Sequence, residues 1–313
     1  MLELSDIKKP EIGDKEVLVR VHAAGVDRGV WHLMTGLPYM VRIAGYGLRT
    51  PKTRIRGRDV AGRVEAAGKA VTRFRPGDEV MGTCDGSFAE NACAREDRLA
   101  PRPANLTFEQ AAAVPISGST ALQGLRDQGL IQAGQKVLIL GASGGVGTFA
   151  VQLAKAFGAA VTGVCSTAKV DLVRSIGADH VIEYTGDDFA EGGQLYDLIL
   201  DIGGNRSLSH LRRALTRRGT LVIVGGEGGG RWIGGMDRQV RALAISPFVR
   251  QRLRVFIAME HYKELEFLTG LIEAGKITPV IDRTYPLSEV PEAIRYLQEG
   301  HARGKVVITM ARR

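Results

Sequence analysis

The chain has 313 residues, 44% hydrophobic and 24% charged, with a formal net charge of +8; this is the make-up of an ordinary globular protein long enough for two domains. No apolar run approaches the ~20 residues of a membrane-spanning helix, and the opening MLELSDIKKP has no apolar signal core. Three cysteines, Cys84, Cys93 and Cys165, without a C-x-x-C pair exclude a disulfide frame, so buried thiols and a cytoplasmic location are expected.

The charge is concentrated in two places. Residues 39–58 hold six Lys and Arg and no acid, and residues 231–254 hold six Arg and only Asp237, leaving −3 for the remainder. No nucleic-acid motif accompanies either patch, so a nucleic-acid partner is not expected. An anionic ligand, an acidic partner, a membrane surface or a solvated face each fit them.

Taken in chain order, the first ~105 residues read as short strands broken by glycine and proline: EVLVRVHAAG, DVAGRVEAAGK, RPGDEVMG and GSFAENACA. β-branched residues between the breaks predict a small antiparallel β domain. TFEQAAAVPISGSTALQGL then reads as helix, and strands and helices alternate through KVLIL, AVTGVC, KVDLVRSIG, HVIEY, YDLILD, SLSHLRRALT and GTLVIVGG. These strands are near-continuous apolar runs, as a parallel sheet covered on both faces requires. The expected class is α/β, with a doubly wound Rossmann domain inserted into a β-rich one. After a helix stopped at Pro247, the chain continues with the strand LRVFIA, the helical KELEFLTGLIEAGK, an amphipathic helix over 289–299 and a last strand KVVIT. The expected domains are 1–114, 115–258 and a return over 259–313.

One stretch, VLILGASGGVGTFAVQLAK, satisfies two motifs. As G-x-S-x-G, Gly141 to Gly145 would present Ser143 as an acylating nucleophile, with Asp201 and His301 following it. As G-x-x-G-x-x-G, Gly141, Gly144 and Gly147 would form a dinucleotide turn at a helix N-terminus. An acylating serine needs an oxyanion loop from an earlier strand of the same sheet, whereas everything upstream is glycine-broken β structure and KVLIL reads as the first strand. The phosphate reading is therefore preferred, with Gly141, Ser143, Gly144, Gly145, Val146 and Gly147 around the pyrophosphate. The next strand, AVTGVC, ends without the acid that would hold a ribose 2′-hydroxyl. Ser166, Thr167 and Lys169 follow instead, and two hydroxyls and a cation suit a 2′-phosphate; NADPH is favoured, with NADH possible.

GQKVLILGASGGVGTFAVQLAK resembles the signature of the quinone oxidoreductase and zeta-crystallin branch of the medium-chain dehydrogenase/reductase superfamily. The likeness extends through RFRPGDEVMG, AAAVPISGSTALQGL, SIGADHVIEY and GHARGKVVI. It implies a GroES-like catalytic domain, a Rossmann domain, a cofactor between them and a homodimer. It also implies cofactor contacts from Thr120 at the nicotinamide ribose, Tyr184 beside the adenosine phosphate, the Gly225–Gly226 loop, and the segment from His301 to Arg303.

Other branches of that superfamily use a catalytic zinc. At the recognisable ligand positions this chain has Val26 and Asp27, then Gly57, Arg58 and Asp59, and no cysteine in VPISGSTAL; no zinc and no structural-zinc lobe are expected. Zinc-free hydride transfer needs an acceptor that is already electrophilic, such as a quinone or an α,β-unsaturated carbonyl, and hydrogen bonds for the anion that develops. AAGVDRGVWHLMTG offers the candidates. Trp31 and His32 align with a substrate-contacting Trp-Lys pair of plant envelope members, and imidazole is suited to donating to a substrate oxygen. Asp27 stands where many relatives have asparagine, and an ionised carboxylate there would repel an enolate. A cofactor-binding protein without catalysis and an alcohol or aldehyde dehydrogenase are the alternatives. Segment 39–58 reads as a substrate lid or a lipid contact, and 231–254 as a further surface for peripheral membrane contact. Relatives begin with a strand ahead of LELSDIKKPEIGDKEVLVRV, so either the natural start lies upstream or the β domain lacks its first strand and exposes a sheet edge.

Overall fold

The computed structural model describes residues 2–39, 42, 54–225, 232 and 234–310. The chain divides into two compact units, one of Met1–Gly36, Gly45–Ser119 and Met259–Arg313, the other of Leu37–Ala44 and Thr120–Ala258.

The first unit is built on β1 (Glu16–Val26), whose alternating valines Val17, Val19 and Val21 face a core shared with Val60, Val64, Leu99, Val306 and Ile308. A short helix α1 (Arg28–Thr35) follows, then β2 (Asp59–Ala67), β3 (Glu79–Thr83), β4 (Asn91–Arg95) and β5 (Leu99–Pro101). TFEQAAAVPISGSTALQGL does not form one helix. It gives α2 (Phe108–Ala112), capped by a Thr107–Gln110 box, and α3 (Pro115–Leu122), continued by a wider π turn over Gln123–Gln128. Pro115 explains the break, because it lacks the amide a continuing helix needs and suits a helix's first position.

The second unit alternates β6 (Lys136–Leu140), α4 (Gly145–Ala156), β7 (Ala160–Cys165), α5 (Val170–Ser175), β8 (His180–Glu183), β9 (Tyr196–Asp201), α6 (Leu208–Arg213), β10 (Leu215–Ile223), α7 (Met236–Ile245) and β11 (Arg252–Val255). Its six strands lie in the order β11-β10-β9-β6-β7-β8, all parallel. This is the doubly wound sheet expected from the apolar strand runs, and the middle strands are wholly buried at Val137, Leu138, Ile139, Leu198, Ile199 and Leu200.

The chain then returns to the first unit with α8 (Tyr262–Glu273), β12 (Ile281–Pro286), α9 (Val290–Gln298) and β13 (Lys305–Thr309). The sequence reading missed β12, whose IDRTYP mixes charge and proline; it pairs with β13 and completes a seven-stranded sheet in the order β12-β13-β1-β2-β3-β5, with β4 also on β1.

Candidate functional site

From β6 the chain winds outward through β7 and β8 on one side, then returns to β9 on the other side. The turn after β6 therefore stands at the point where strand order reverses, which is where doubly wound sheets bind ligands. Gly141 has φ +81°, a conformation glycine adopts without strain. A Cβ on Gly147 would come 2.0 Å from the Gly141 carbonyl oxygen, so the helix can start this close to the strand only if residue 147 is glycine. At Gly144 a Cβ would meet only that oxygen, at 3.5 Å. Gly144 is the N-cap of α4 and no side chain caps the helix, so the amides of Gly145 and Val146 are placed for an anionic oxygen. Ser143 is buried in the same turn. This donor set fits the diphosphate of a dinucleotide.

Beyond β7, Ser166 leads into a 3₁₀ turn over Thr167–Lys169, and the Tyr184 amide donates to the Cys165 carbonyl at 3.2 Å. Ser166, Thr167, Lys169 and the half-exposed Tyr184 are thereby gathered at the ends of β7 and β8. One neighbour was not singled out from sequence. Glu183, opposite Cys165 in the ladder, accepts hydrogen bonds from the Thr167 and Thr185 hydroxyls, which hold its carboxyl below the usual glutamate range. HVIEY contains this acid, but only the parallel pairing of β8 with β7 brings it to Thr167.

At the end of β9 the wholly buried Asp201 accepts from the Gly204 amide at 3.1 Å and pairs with Arg238 of α7. Burial raises its carboxyl pKa even against that guanidinium. The Gly225 amide donates to the Asp201 carbonyl at 3.3 Å, so Gly225 sits on the same strand-end crest as the glycine turn. Gly226 lies outside the described residues, as does most of segment 39–58. Tyr39 and Trp232 meet edge to face, with ring centroids 5.3 Å apart. Thr120 is buried within α3.

In the first unit, Asp27 is the N-cap of α1, its Oδ1 accepting from the Val30 amide at 3.2 Å. Trp31 packs on the unit's core and meets the His32 ring edge-on, with centroids 5.0 Å apart. The Gly36 amide closes the helix on the His32 carbonyl at 2.8 Å. β1 and β13 pair Val26 with Val306, so Asp27 and Lys305 stand opposite each other one step beyond the ladder. Lys305 is buried, its Nζ 2.8 Å from Asp59 Oδ2, and Asp59 Oδ1 accepts from the Ile116 amide at 2.8 Å. Arg58 pairs with Glu260. His301 and Arg303 lie exposed between α9 and β13, with the Arg303 amide donating to Asp282.

The residues at the superfamily's zinc positions do not fit a zinc ion. Asp59 is engaged by the Lys305 ammonium and a backbone amide, and Arg58 supplies a cation where a ligand would stand. Among the described residues no group of three or more His, Cys, Asp or Glu could hold a metal.

Two family models match the chain, an alcohol dehydrogenase GroES-like domain over residues 13–104 and a zinc-binding dehydrogenase over residues 176–308. The NAD(P)H oxidoreductase RTN4IP1, mitochondrial, of Mus musculus is 36% identical over 94% of this chain and 82% of its own length. The NADPH-dependent alkenal/one oxidoreductase, chloroplastic, of Arabidopsis thaliana is 33% identical over 97% of this chain and 74% of its own. Among solved structures, a quinone oxidoreductase from Coxiella burnetii superposes with a TM-score of 0.85 at 28% identity, covering 99% of this chain and 95% of that one.

Proposed function

Since the chain belongs to the quinone oxidoreductase branch of the medium-chain dehydrogenase/reductase superfamily, we propose that it is an NADPH-dependent reductase of quinones or α,β-unsaturated carbonyls. The observation that carries this reading is the uncapped glycine turn at the switch point of a parallel sheet, a donor set made for a dinucleotide diphosphate. The acceptor class is supported by the names of the alkenal/one and quinone relatives.

The bound cofactor supplies a hydride. The chain's own residues hold it, orient the acceptor and stabilise the charge that develops on the acceptor's oxygen. Gly141, Ser143, Gly144, Gly145, Val146 and Gly147 take the diphosphate; Ser166, Thr167, Lys169 and Tyr184 take the adenosine end. Thr120 and Gly225 complete the cofactor's surroundings within the second unit. His32 donates to the acceptor oxygen, with Trp31 fixing its ring and Asp27 fixing their helix. No step runs through a metal, since Lys305 and Arg58 already supply the cations around Asp59.

The preference for NADPH rests on the absence of an acid directly after β7 and on Lys169 in the turn that follows. Glu183 opposes it, and Lys169 outweighs Glu183 because that carboxylate is already satisfied by two hydroxyls.

A homodimer is part of the proposal. β11 is the terminal strand of its sheet, and Val240, Leu243 and Phe248 in the segment leading to it are 63%, 57% and 88% exposed. Apolar residues beside a strand edge that no strand among the described residues pairs fit a second copy of the chain better than a lipid surface.

The test is a panel of acceptors with NADPH and NADH side by side. Menadione, a short alkenal and a saturated aldehyde are each followed by loss of reduced-nicotinamide absorbance. Oxidation of NADPH by the quinone or the alkenal, and not by the aldehyde, is the expected result. Cofactor binding with no turnover would mean a non-catalytic binding protein, and turnover with the aldehyde alone would mean an alcohol dehydrogenase.

A further inference from the structure

The unusual feature of the first unit is a buried carboxyl that its surroundings leave half satisfied. Asp27 Oδ1 accepts from the Val30 amide, but Oδ2 is buried and has no hydrogen-bond partner. The groups that face it are Asp59 and Arg58 at the start of β2, Lys305 at the start of β13, and the Val30 amide of its own helix. Lys305 is committed to Asp59, which in turn packs on β1 so closely that a Cβ on Gly25 would come 2.6 Å from Asp59 Oδ2. Arg58 is committed to Glu260, whose other oxygen accepts from the Thr83 hydroxyl at 2.9 Å and lies 4.0 Å from Arg98. A charge on Asp27 would therefore sit buried beside Asp59 with no hydrogen-bond partner at Oδ2, and an unpaired buried charge is resolved by protonation.

We propose that Asp27 is carried as the neutral acid and is a positioning residue of the reductase site: uncharged, it caps α1 and holds Trp31 and His32 where the acceptor oxygen is bound, and its ionisation disables them. This rests on the reductase reading given above. A neutral carboxyl still offers its carbonyl oxygen to the Val30 amide, so the cap survives protonation. Ionisation places a second negative charge beside Asp59 and shifts the start of the helix. The neutral form, by contrast, removes the conflict between an aspartate at this position and an enolate forming nearby.

Burial, followed by the Asp59 charge, raises the Asp27 carboxyl above its ordinary value of 3.8, and Lys305, Arg58 and the Val30 amide oppose them only in part. Between 3.8 and the raised native value, the folded chain holds a proton that the unfolded chain has lost, so this group's contribution to stability falls as pH rises through that interval.

The test uses the full chain with Asp27→Asn and Asp27→Ala. Two readouts need no activity. The infrared carboxylic C=O band of the native protein at neutral pH should lose intensity in Asp27→Asn, and the melting temperature of Asp27→Asn relative to the native chain should rise with pH from mildly acid to mildly alkaline. With NADPH and menadione, native kcat should fall on the alkaline side, by up to about tenfold per pH unit. Asp27→Ala should lose activity at every pH, while Asp27→Asn should restore activity relative to Ala and abolish the alkaline fall. No carboxylic band assignable to Asp27, or an Asp27→Asn profile that keeps the native alkaline fall, would overturn the proposal. No turnover in any variant, with the infrared and melting results as expected, would instead count against the reductase reading.

Discussion

Lys169 and Glu183 are close in the fold and opposed in effect. On the proposed reading, Lys169, which ends the 3₁₀ turn after β7, attracts a 2′-phosphate, while Glu183, its carboxyl held below the usual glutamate range by the Thr167 and Thr185 hydroxyls, repels one. Lys169→Ala should weaken NADPH binding about tenfold relative to NADH, the size of one charge-assisted contact. Glu183→Gln should move the preference the other way and also release Thr167 for the phosphate. Titration of each variant with both reduced cofactors, read by nicotinamide fluorescence, checks the pair of shifts; equal weakening of both cofactors by Lys169→Ala would place that lysine away from the 2′ position. The turn was legible in STAK because Ser, Thr and Lys directly follow an apolar strand. Glu183 was not, because it comes from the next strand and its partner is 16 residues away.

At the scale of elements, the decisive unit is the β6 strand, the glycine turn and α4. Its glycines have separate duties: Gly141 takes a positive φ, and Gly147 leaves room for the Gly141 carbonyl. Gly147→Ala would put a Cβ 2.0 Å from that oxygen. Overpacking of this kind costs on the order of 1–3 kcal/mol and moves backbone. The variant should melt several degrees lower and lose NADPH binding, measured by thermal denaturation with and without cofactor. A stabilising effect of cofactor equal to that of the native chain would show that the turn does not carry the diphosphate. This unit was the most legible part of the sequence, since its apolar run, glycine spacing and helical pattern are all local. The helix over residues 107–128 was less so: Pro115 was visible, but whether a proline ends, kinks or starts a helix depends on what the next turn packs against.

At the scale of the whole molecule, the terminal position of β11 in the sheet of the described residues and the exposed Leu243 and Phe248 predict self-association. The double variant Leu243→Asp, Phe248→Asp should sediment as a monomer while melting near the native temperature, because neither side chain contributes to the core. Flotation of the native protein with anionic vesicles, lost in the same variant, would instead assign this surface to a membrane. The sequence by itself determined the α/β class, the order of β-rich and parallel regions, and the strand–glycine turn–helix unit, because strand and helix periodicity and glycine spacing are properties of neighbouring residues. Tertiary structure alone decided the partnerships that set the chemistry. Lys305 meets Asp59 across 246 residues, Arg238 meets Asp201 across 37, and Asp27 Oδ2 is buried without a hydrogen-bond partner while Lys305 pairs with Asp59 and Arg58 with Glu260. Such pairings follow from sheet register and from which charges are buried together. Those are long-range, competitive outcomes of folding, and no local pattern around Asp27 records them.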